Sequence, residues 1–256
     1  MKAIKLSLAI LFLLAILACG AIGSAPTQPP LPTSTSTPIP PTPIPPTATV
    51  TPIPPTPTPE FLQYYTEEFD KDLKYWPSYV IDGYNGVMMK EPDVKLEIAD
   101  GSISFDLAKW RWVYATYDPF EYEDVHVEAQ AENLGTNNNN VSLTCRYSKQ
   151  GWYEFNVANN GLYWIYNASV RDDGFVKYKL LEQGGSNKIV QGNTPGKNLN
   201  IYGIICKGDT LTLYINDTMT KEVKDATLRS GKIGVSISSF DTAANVRFNW
   251  VKISEP

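Results

Sequence analysis

The sequence is poor in the residues that most catalytic metal and nucleic-acid sites need. It contains one histidine, His126, and three cysteines among 256 residues. Zinc sites take several imidazole or thiolate ligands at short spacing, and no second His or Cys stands near His126. Acidic residues outnumber basic ones, 27 to 22, and the net charge is −5. This charge offers no basic surface for a phosphate backbone, so we predict no nucleic-acid partner.

Long hydrophobic runs are also scarce, and the single clear one lies near the N-terminus at residues 6–17. It follows Lys2 and Lys5 and is shorter than a comfortable transmembrane helix, which is typical of a signal peptide. The run ends in Ile-Leu-Ala-Cys at residues 16–19, which resembles the lipobox of bacterial lipoproteins. The resemblance implies a signal peptide over residues 1–18 and lipidation of Cys19. An ordinary signal peptide with an unrelated cysteine and an uncleaved anchor are the alternatives.

Charged residues are missing altogether from residues 25–59, which consist largely of Pro and Thr. Proline fixes φ and removes a backbone donor, so this composition supports neither helix nor sheet. We predict a disordered linker over residues 19–59, extended by about 3 Å per residue and therefore on the order of 100 Å long. Such a stalk, lipid-anchored at Cys19 in the cell membrane, would hold the rest of the chain on the extracellular or periplasmic side.

Residues 60–256 lack the 3.6-residue period of amphipathic helices and instead alternate apolar with polar residues. Alternation of period two is typical of half-buried antiparallel strands. Turn signals such as Asp100-Gly101, Asn160-Gly161 and Ser230-Gly231 separate the runs. Many short strands without helices predict one all-β sandwich domain over residues 60–256. The clearest alternating segments are GSISFDLA (101–108), DVHVEAQAE (124–132), VSLTCRY (141–147), DTLTLYIN (209–216), KIGVSIS (232–238) and VRFNWVKIS (246–254).

Two of the three cysteines, Cys145 and Cys206, lie inside alternating segments. Because an exported protein folds in an oxidising environment, we expect a disulfide between them. Two free buried thiols are the alternative.

Five segments resemble, in their order, the concanavalin A-like lectin/glucanase jelly roll, especially its laminin-G-like and 3-keto-disaccharide hydrolase modules. The resemblance covers almost all of residues 60–256 and implies a jelly-roll β-sandwich. It says less about function, because this fold carries lectins, hydrolases and lyases. The segments are EEFDKDLKYW (67–76), YEDVHVEAQ (122–130), LTCRYSKQGWYEFNVANNGLYWIY (143–166), CKGDTLTLYIND (206–217) and VRFNWVKI (246–253).

The glucanases of this fold carry their two catalytic carboxylates on one strand, and the stretch EYEDVHVE (121–128) comes nearest to that motif without matching it. Asp124, His126 and Glu128 form a polar row there, which is what any half-exposed strand shows. We therefore assign no catalytic residue. Sandwich lectins often hold Ca²⁺ with loop oxygens, and Asp70, Asp72 and Asp118 could donate to such an ion, although no ligand set is defined.

Six aromatic residues crowd the segment 152–166, and the register of its hairpin decides which of them face the core. A two-residue loop would place Val157 opposite Trp164, whereas a three-residue loop ending in Gly161 would place Val157 opposite Tyr163. The second register buries Phe155 and Tyr163 without burying Glu154 or Asn156. It is therefore favoured, and it turns Trp152, Trp164 and Tyr166 outward.

Outward Trp and Tyr rings among polar groups suit sugar rings, whose C–H faces are apolar and whose hydroxyls need hydrogen-bond partners. We therefore interpret the domain as a monomeric, non-catalytic carbohydrate-binding module on a surface lipoprotein. A glycoside hydrolase of the 3-keto-disaccharide type and a laminin-G-like protein-adhesion module are the alternatives. The candidate carbohydrate-binding residues are Trp152, Trp164, Tyr166, Glu154, Asn156 and Arg146, with Trp110 and Trp112 of the segment KWRWVY as secondary candidates.

Overall fold

The computed structural model describes residues 61–256, with the exception of residues 91–93, 136, 137, 193 and 195. The predicted signal peptide, the lipidation at Cys19 and the predicted Pro/Thr linker lie outside the described residues. Within the part that is described, no helix has the length and apolar character needed to cross a membrane.

The described residues form sixteen strands in two antiparallel sheets. In chain order the strands are β1 (Tyr65–Glu67), β2 (Ser78–Asp82), β3 (Val87–Met88), β4 (Lys95–Ile98), β5 (Ile103–Leu107), β6 (Arg111–Tyr122), β7 (Val125–Asn133), β8 (Asn139–Ser148), β9 (Gly151–Ala158), β10 (Leu162–Val170), β11 (Val176–Gly185), β12 (Asn200–Lys207), β13 (Thr210–Ile215), β14 (Thr218–Lys224), β15 (Gly231–Ser239) and β16 (Ala244–Ser254).

The chain crosses several times from one sheet to the other. The first sheet runs β14-β13-β12-β7-β16-β5-β4, with β1 also paired to β16. The second sheet runs β11-β10-β9-β8-β15-β6-β2-β3. The predicted all-β fold, a concanavalin A-like jelly-roll sandwich, is confirmed, and all six alternating segments form strands.

The main core lies between the two sheets and is built by the period-two alternation. On β5, for example, Ile103, Phe105 and Leu107 are buried while Asp106 is exposed. The facing sheet contributes Val141, Leu143 and their neighbours on β8 and β15. Each aliphatic or aromatic side chain buried in this way contributes about 1.5–3 kcal/mol of transfer free energy.

The Cys145–Cys206 disulfide is confirmed and joins the two sheets through this core. Cys145 lies on β8 of the second sheet and Cys206 on β12 of the first, with their Cα atoms 6.7 Å apart. The bond closes a loop across 61 positions of sequence. In the chain-entropy account, a loop of this length stabilises the fold by about 4 kcal/mol.

The β9–β10 hairpin has the predicted three-residue register. Val157 pairs with Tyr163, and Asn156 pairs with Trp164. Gly161 has φ +87°, and its N–H donates to the carbonyl of Ala158 over 2.8 Å. A Cβ at this glycine would also lie 2.1 Å from the carbonyl oxygen of Ser186, so no larger residue fits the turn. Phe155 and Tyr163, which were predicted for the core face, are buried, and so are Tyr153, Val157 and Ile165 on the same face.

A second hydrophobic cluster lies on the other side of the second sheet, which we call the outward face. Its fully buried members include Trp152 of β9, Tyr114 of β6 and Ile81 of β2. Tyrosines from β2, β8 and β11 pack against them. This face therefore has a buried aromatic layer of its own, and the candidate site lies beside it.

Candidate functional site

The register of the second sheet aligns one row of side chains across five strands of the outward face. Tyr114 pairs with Ser236, Ser236 with Ser142, Ser142 with Asn156, and Asn156 with Trp164. Directly opposed residues of neighbouring strands project from the same face. A strip of small polar groups therefore runs between an aromatic residue at each end.

A neighbouring row adds Trp112, Ser238 and Asn140 in the same way, because Ser238 pairs with both of the other two. Together with the first row they border a cleft of about 370 Å³. Its walls are mainly aromatic, and its floor consists of amide, hydroxyl and carboxylate groups. The residues lining it are Trp112, Asn140, Glu154, Asn156, Trp164, Tyr166, Tyr178, Ser238 and Phe240.

Glu154 supplies the carboxylate of the floor and is only 2 % exposed. One oxygen, Oε1, accepts hydrogen bonds from Ser142 Oγ at 2.9 Å and Asn156 Nδ2 at 3.1 Å. The other, Oε2, accepts from Tyr114 Oη at 2.8 Å and Trp152 Nε1 at 3.1 Å. Four neutral donors thus hold one buried carboxylate, which offsets the loss of its hydration.

The network extends outward from Glu154 in two directions. Asn140 Nδ2 donates to Asn156 Oδ1 over 2.5 Å, which fixes the orientation of both amides. On the other side the hydroxyls of Tyr114 and Tyr178 lie 2.9 Å apart. Burial, and after it the negative charge on Glu154, raises the pKa of Tyr114 and Tyr178 well above that of a free phenol. Both tyrosines are therefore neutral donors across the physiological pH range.

The aromatic walls are held in place by packing. Trp112 makes an edge contact with Tyr178, with ring centroids 5.6 Å apart, and Tyr166 makes another with Tyr178 at 5.5 Å. Gly83 leaves room for the Trp112 indole, because a Cβ there would lie 2.6 Å from Trp112 Nε1. Trp112, Trp164 and Tyr166 are all half-buried, so each ring keeps part of its surface open.

Five of the eight predicted binding residues line this cleft: Trp164, Tyr166, Glu154, Asn156 and Trp112. The other three lie elsewhere, each for a specific structural reason.

The structure corrects the prediction that the Trp152 ring is open to a ligand. Its side chain does project from the outward face, but it is 0 % exposed. The rings of Tyr79, Tyr114, Tyr147 and Tyr178 surround it, with centroids 5.3–6.3 Å from that of Trp152. Trp152 therefore positions Glu154 through its indole N–H and offers no ring face to a ligand.

The prediction that Arg146 lies at the binding site is also corrected, because its strand does not keep a regular alternation. A bulge lies between Cys145 and Ser148, and Arg146 has φ +53°. A bulge turns a side chain away from the face that simple alternation predicts. The guanidinium is buried, 1 % exposed, and donates to the carbonyls of Glu123 and Leu228 at 2.9–3.1 Å. Arg146 therefore ties together loops of the sandwich and lies outside the cleft.

Trp110 lies next to the cleft without lining it. Its φ is +60°, and its backbone N–H donates to the carbonyl of Phe240 over 2.8 Å. Its ring makes edge contacts with Phe240 and Tyr84, at 6.3 and 6.1 Å. Trp110 thereby supports Phe240, which does form part of the wall.

Four residues of the cleft were missed at the level of sequence: Asn140, Tyr178, Ser238 and Phe240. Period-two alternation could have indicated Asn140, which shares a face with Ser142, and Ser238, which shares one with Ser236. Nothing local distinguishes Tyr178 or Phe240 from other tyrosines and phenylalanines. Tyr178 reaches the cleft through the β10–β11 hairpin, where it stands opposite Ala168, and Phe240 follows β15, which pairs with the distant strand β6.

Of the polar row, His126 and Glu128 lie on β7 of the first sheet, on the opposite side of the molecule from the cleft, and Asp124 lies in the bend that precedes β7. His126 Nε2 lies 3.9 Å from Glu128 Oε1, and Lys252 Nζ lies 2.8 Å from Glu128 Oε2. Burial lowers the pKa of His126 below its usual value, against the opposing effect of Glu128. Among the described residues there is no group of three or more His, Cys, Asp or Glu side chains placed to hold a metal ion. The geometry therefore adds nothing to the expectation of calcium.

Fold and cleft together define a concanavalin A-like jelly-roll domain of the kind shared by glycoside hydrolases and carbohydrate-binding modules. The chain belongs to the family described as the 3-keto-alpha-glucoside-1,2-lyase-like domain, which it matches over residues 65–254. No curated protein matched the sequence.

Solved structures with a similar fold include LamAcat from Zobellia galactanivorans, at 11% identity and a TM-score of 0.50, covering 75% of this chain and 97% of that one. A glycoside hydrolase family 16 endo-glucanase from Bacteroides ovatus aligns at 10% identity and a TM-score of 0.51, covering 74% and 99%. The carbohydrate-binding module CBM66 from Bacillus subtilis aligns at 14% identity and a TM-score of 0.44, covering 61% and 88%. At these identities the similarity concerns the fold alone.

Proposed function

We propose that the domain binds carbohydrate in the outward-face cleft and does so without catalysis. The observation that carries this proposal is the combination of open aromatic walls, at Trp112, Trp164 and Tyr166, with a floor of amides and hydroxyls. Aromatic faces take the apolar C–H face of a sugar ring, and the polar groups fix its hydroxyls. Family membership and the glucanase fold agree with a sugar ligand.

The arrangement of Glu154 supports binding over glycoside hydrolysis. Hydrolysis by the usual route needs two carboxyl groups about 5–5.5 Å or 6.5–9.5 Å apart across the scissile bond. Glu154 is the one acidic side chain among the described residues that line the cleft. Both of its oxygens already accept hydrogen bonds from protein donors, so it acts as an organiser of the floor.

The proposal is tested by replacing Trp164 with Ala and measuring retention on insoluble polysaccharides and on a glycan array. Stacking on an aromatic face supplies much of the affinity for a sugar, so we expect binding to fall at least tenfold. Thermal stability should change little, because Trp164 is half-buried and does not belong to the buried aromatic cluster. Tyr84→Ala is the matched control, since Tyr84 is 78 % exposed and lies outside the cleft.

The proposal fails if Trp164→Ala retains full binding, or if the wild-type domain binds no glycan on either platform. Equal losses in Trp164→Ala and Tyr84→Ala would place the binding surface elsewhere. The cleft itself argues for this function over protein adhesion, which would use a flat apolar face.

We further propose that the module acts as a monomer at the bacterial cell surface, anchored in the membrane by a lipid on Cys19 and displayed on the Pro/Thr stalk. The support is the sequence Ile-Leu-Ala-Cys after an apolar run and the uncharged segment that follows it. When the full chain is expressed in a bacterium, wild type should partition into detergent and Cys19→Ala into the aqueous phase. Detergent partitioning that survives Cys19→Ala would contradict the anchor.

A lyase is the second candidate, because the matched family is described by that reaction. A base would remove the proton at C2, which the neighbouring ketone acidifies, and the electron pair of the C2–H bond would form the C1–C2 double bond. The C1–O bond would break at the same time and release the aglycone, whose oxygen would take a proton from the protonated base or from water. One carboxylate would suffice as the base, and Glu154 is the group available. The product would be a conjugated enone, so incubation with a 3-keto-glucoside can be followed by ultraviolet absorbance. Turnover that vanishes in Glu154→Gln would replace the non-catalytic proposal.

A further inference from the structure

Glu154 carries a buried charge that has only neutral partners. Its four hydrogen-bond donors are two hydroxyls, an amide and an indole. The described residues that line the cleft include no Lys, Arg or His, and no ion pair among the described residues involves Glu154. The negative charge at the floor is therefore stabilised locally but is not cancelled by a cation.

The field of this charge reaches the walls of the cleft. Burial raises the pKa of Tyr166, and the charge on Glu154 raises it further. The same two causes, in the same order, raise the pKa of Tyr178. Both rings line the cleft, so a ligand placed between them lies in the same negative potential.

A neighbouring groove on the same sheet is built differently. It is lined by Asp118, Glu121, Lys149 and Lys232, and Lys232 pairs directly with Asp118. There the acidic groups have basic neighbours and the surface is exposed to solvent, which screens charge. The lack of a counter-cation is thus a feature of the aromatic cleft and does not extend to the groove beside it.

We infer that Glu154 makes the cleft selective for uncharged sugar rings over glycans whose rings carry carboxylate or sulfate groups. The inference rests on the proposed carbohydrate-binding function and specifies the class of ligand. An anionic sugar would bring a second negative charge into a partly dehydrated site, and the lining offers no basic side chain to receive it. Neutral hydroxyls, in contrast, find the amides and hydroxyls of Asn140, Asn156 and Ser238.

The size of the effect follows from Coulomb's law. Two unit charges about 8 Å apart repel by about 2 kcal/mol at an effective dielectric constant of about 20, which is a thirtyfold change in affinity. We therefore expect a carboxylated glycan to bind about thirtyfold more weakly than its neutral parent.

The experiment uses sets of three ligands that share one backbone. Laminarin and mixed-linkage β-glucan are the neutral parents; each is also prepared with part of its C6 hydroxyls oxidised to carboxylates, and with those carboxylates converted to amides. Affinity of the wild-type protein is measured for all of them by calorimetry. The parent and the amide should bind within threefold of each other, and the carboxylate about thirtyfold more weakly.

Two variants assign the effect to a residue. Glu154→Gln removes the charge and should bring the carboxylated glycan to within about threefold of its parent. Glu121→Gln removes an exposed acidic group in the neighbouring groove and should retain the thirtyfold preference. If Glu154→Gln does not fold, the comparison of carboxylate with amide in the wild-type protein still decides whether ligand charge is rejected.

The outcomes separate this inference from the proposed function. Binding of the carboxylated and neutral forms within threefold of each other, or a preference that persists in folded Glu154→Gln, would overturn the charge selectivity and leave carbohydrate binding intact. A wild-type protein that binds none of these glucans and no glycan on the array or the insoluble polysaccharides would overturn both.

Discussion

Trp152 and Trp164 lie on neighbouring strands of one sheet and project from the same face, yet their surroundings are opposite. Trp152 is enclosed by four tyrosine rings and donates its indole N–H to Glu154. Trp164 stands opposite Asn156 at the edge of a cleft and remains partly open. Alternation along a strand thus determines the face of a side chain, whereas coverage depends on what distant strands place above it.

Glu154 joins the two regions. Its Oε2 accepts hydrogen bonds from the enclosed side, from Trp152 and Tyr114, and its Oε1 accepts them from Ser142 and Asn156. The enclosed aromatic cluster around Trp152 therefore supports the floor of the cleft. A binding cleft built on such a layer is organised before its ligand arrives, which reduces the entropy lost on binding.

The largest difference between the two regions should be in stability. Trp152→Ala removes a fully buried side chain and should lower the free energy of unfolding by about 3–5 kcal/mol. For a domain of this size that lowers Tm by roughly 10 °C or more. Trp164→Ala should cost less than about 1 kcal/mol, since its ring is half-buried. Calorimetric unfolding of both variants measures the two losses of unfolding free energy. Equal losses would show that Trp164 is also a core residue.

Alkaline pH should separate the enclosed tyrosines from those of the cleft. The pKa of Tyr114 is raised well above 10 by burial first and then by Glu154. A raised folded-state pKa means that its contribution to stability is complete below pH 10 and is lost as the pH rises, at about 1.4 kcal/mol per pH unit. We therefore expect Tyr114 to ionise only as the domain unfolds.

Burial and the charge on Glu154 also raise the pKa of Tyr166. Because this side chain lies at the open cleft, its hydroxyl should ionise before the domain unfolds. Absorbance at the phenolate band, compared with circular dichroism across the titration, distinguishes the two classes. Tyr166→Phe should remove an early component of the absorbance change. A single transition that coincides with unfolding, and that Tyr166→Phe leaves unchanged, would show that the cleft is closed.

The smallest effect should come from Gly83, which lies behind the cleft wall. In Gly83→Ala the new methyl group would lie 2.6 Å from Trp112 Nε1, so the indole must move. We expect a loss of about 1 kcal/mol in stability and a severalfold weaker affinity for the best-bound glycan. Gly185→Ala is the control, because its methyl group would meet Leu162 at an ordinary 3.6 Å. Similar behaviour of the two variants would mean that Trp112 does not shape the cleft.

Much of the sandwich followed from local pattern. Alternation of period two predicted the strands, and avoidance of a buried Glu154 or Asn156 predicted the hairpin register, which is confirmed. Both residues are nevertheless buried, because their neighbours on the outward face cover them. The register was correct because Phe155 and Tyr163 need the main core.

The candidate site was predicted less completely, for reasons visible at single residues. Arg146 was misplaced because a bulge in β8 breaks the alternation. Tyr178 was missed because β11 meets Trp112 of β6 only by reaching across the outward face, a contact between residues 66 positions apart in the chain. Neither effect leaves a signal in the local sequence.

The sequence by itself determined which face the side chains of the regular strands point to, since that follows from local periodicity, and which cysteines pair, since only Cys145 and Cys206 lie in alternating segments. Only the tertiary structure decided which outward aromatic residues are covered and which are open. That outcome depends on the order in which distant strands pair, and Trp152 and Trp164 differ because Tyr79, Tyr147 and Tyr178 pack over one of them.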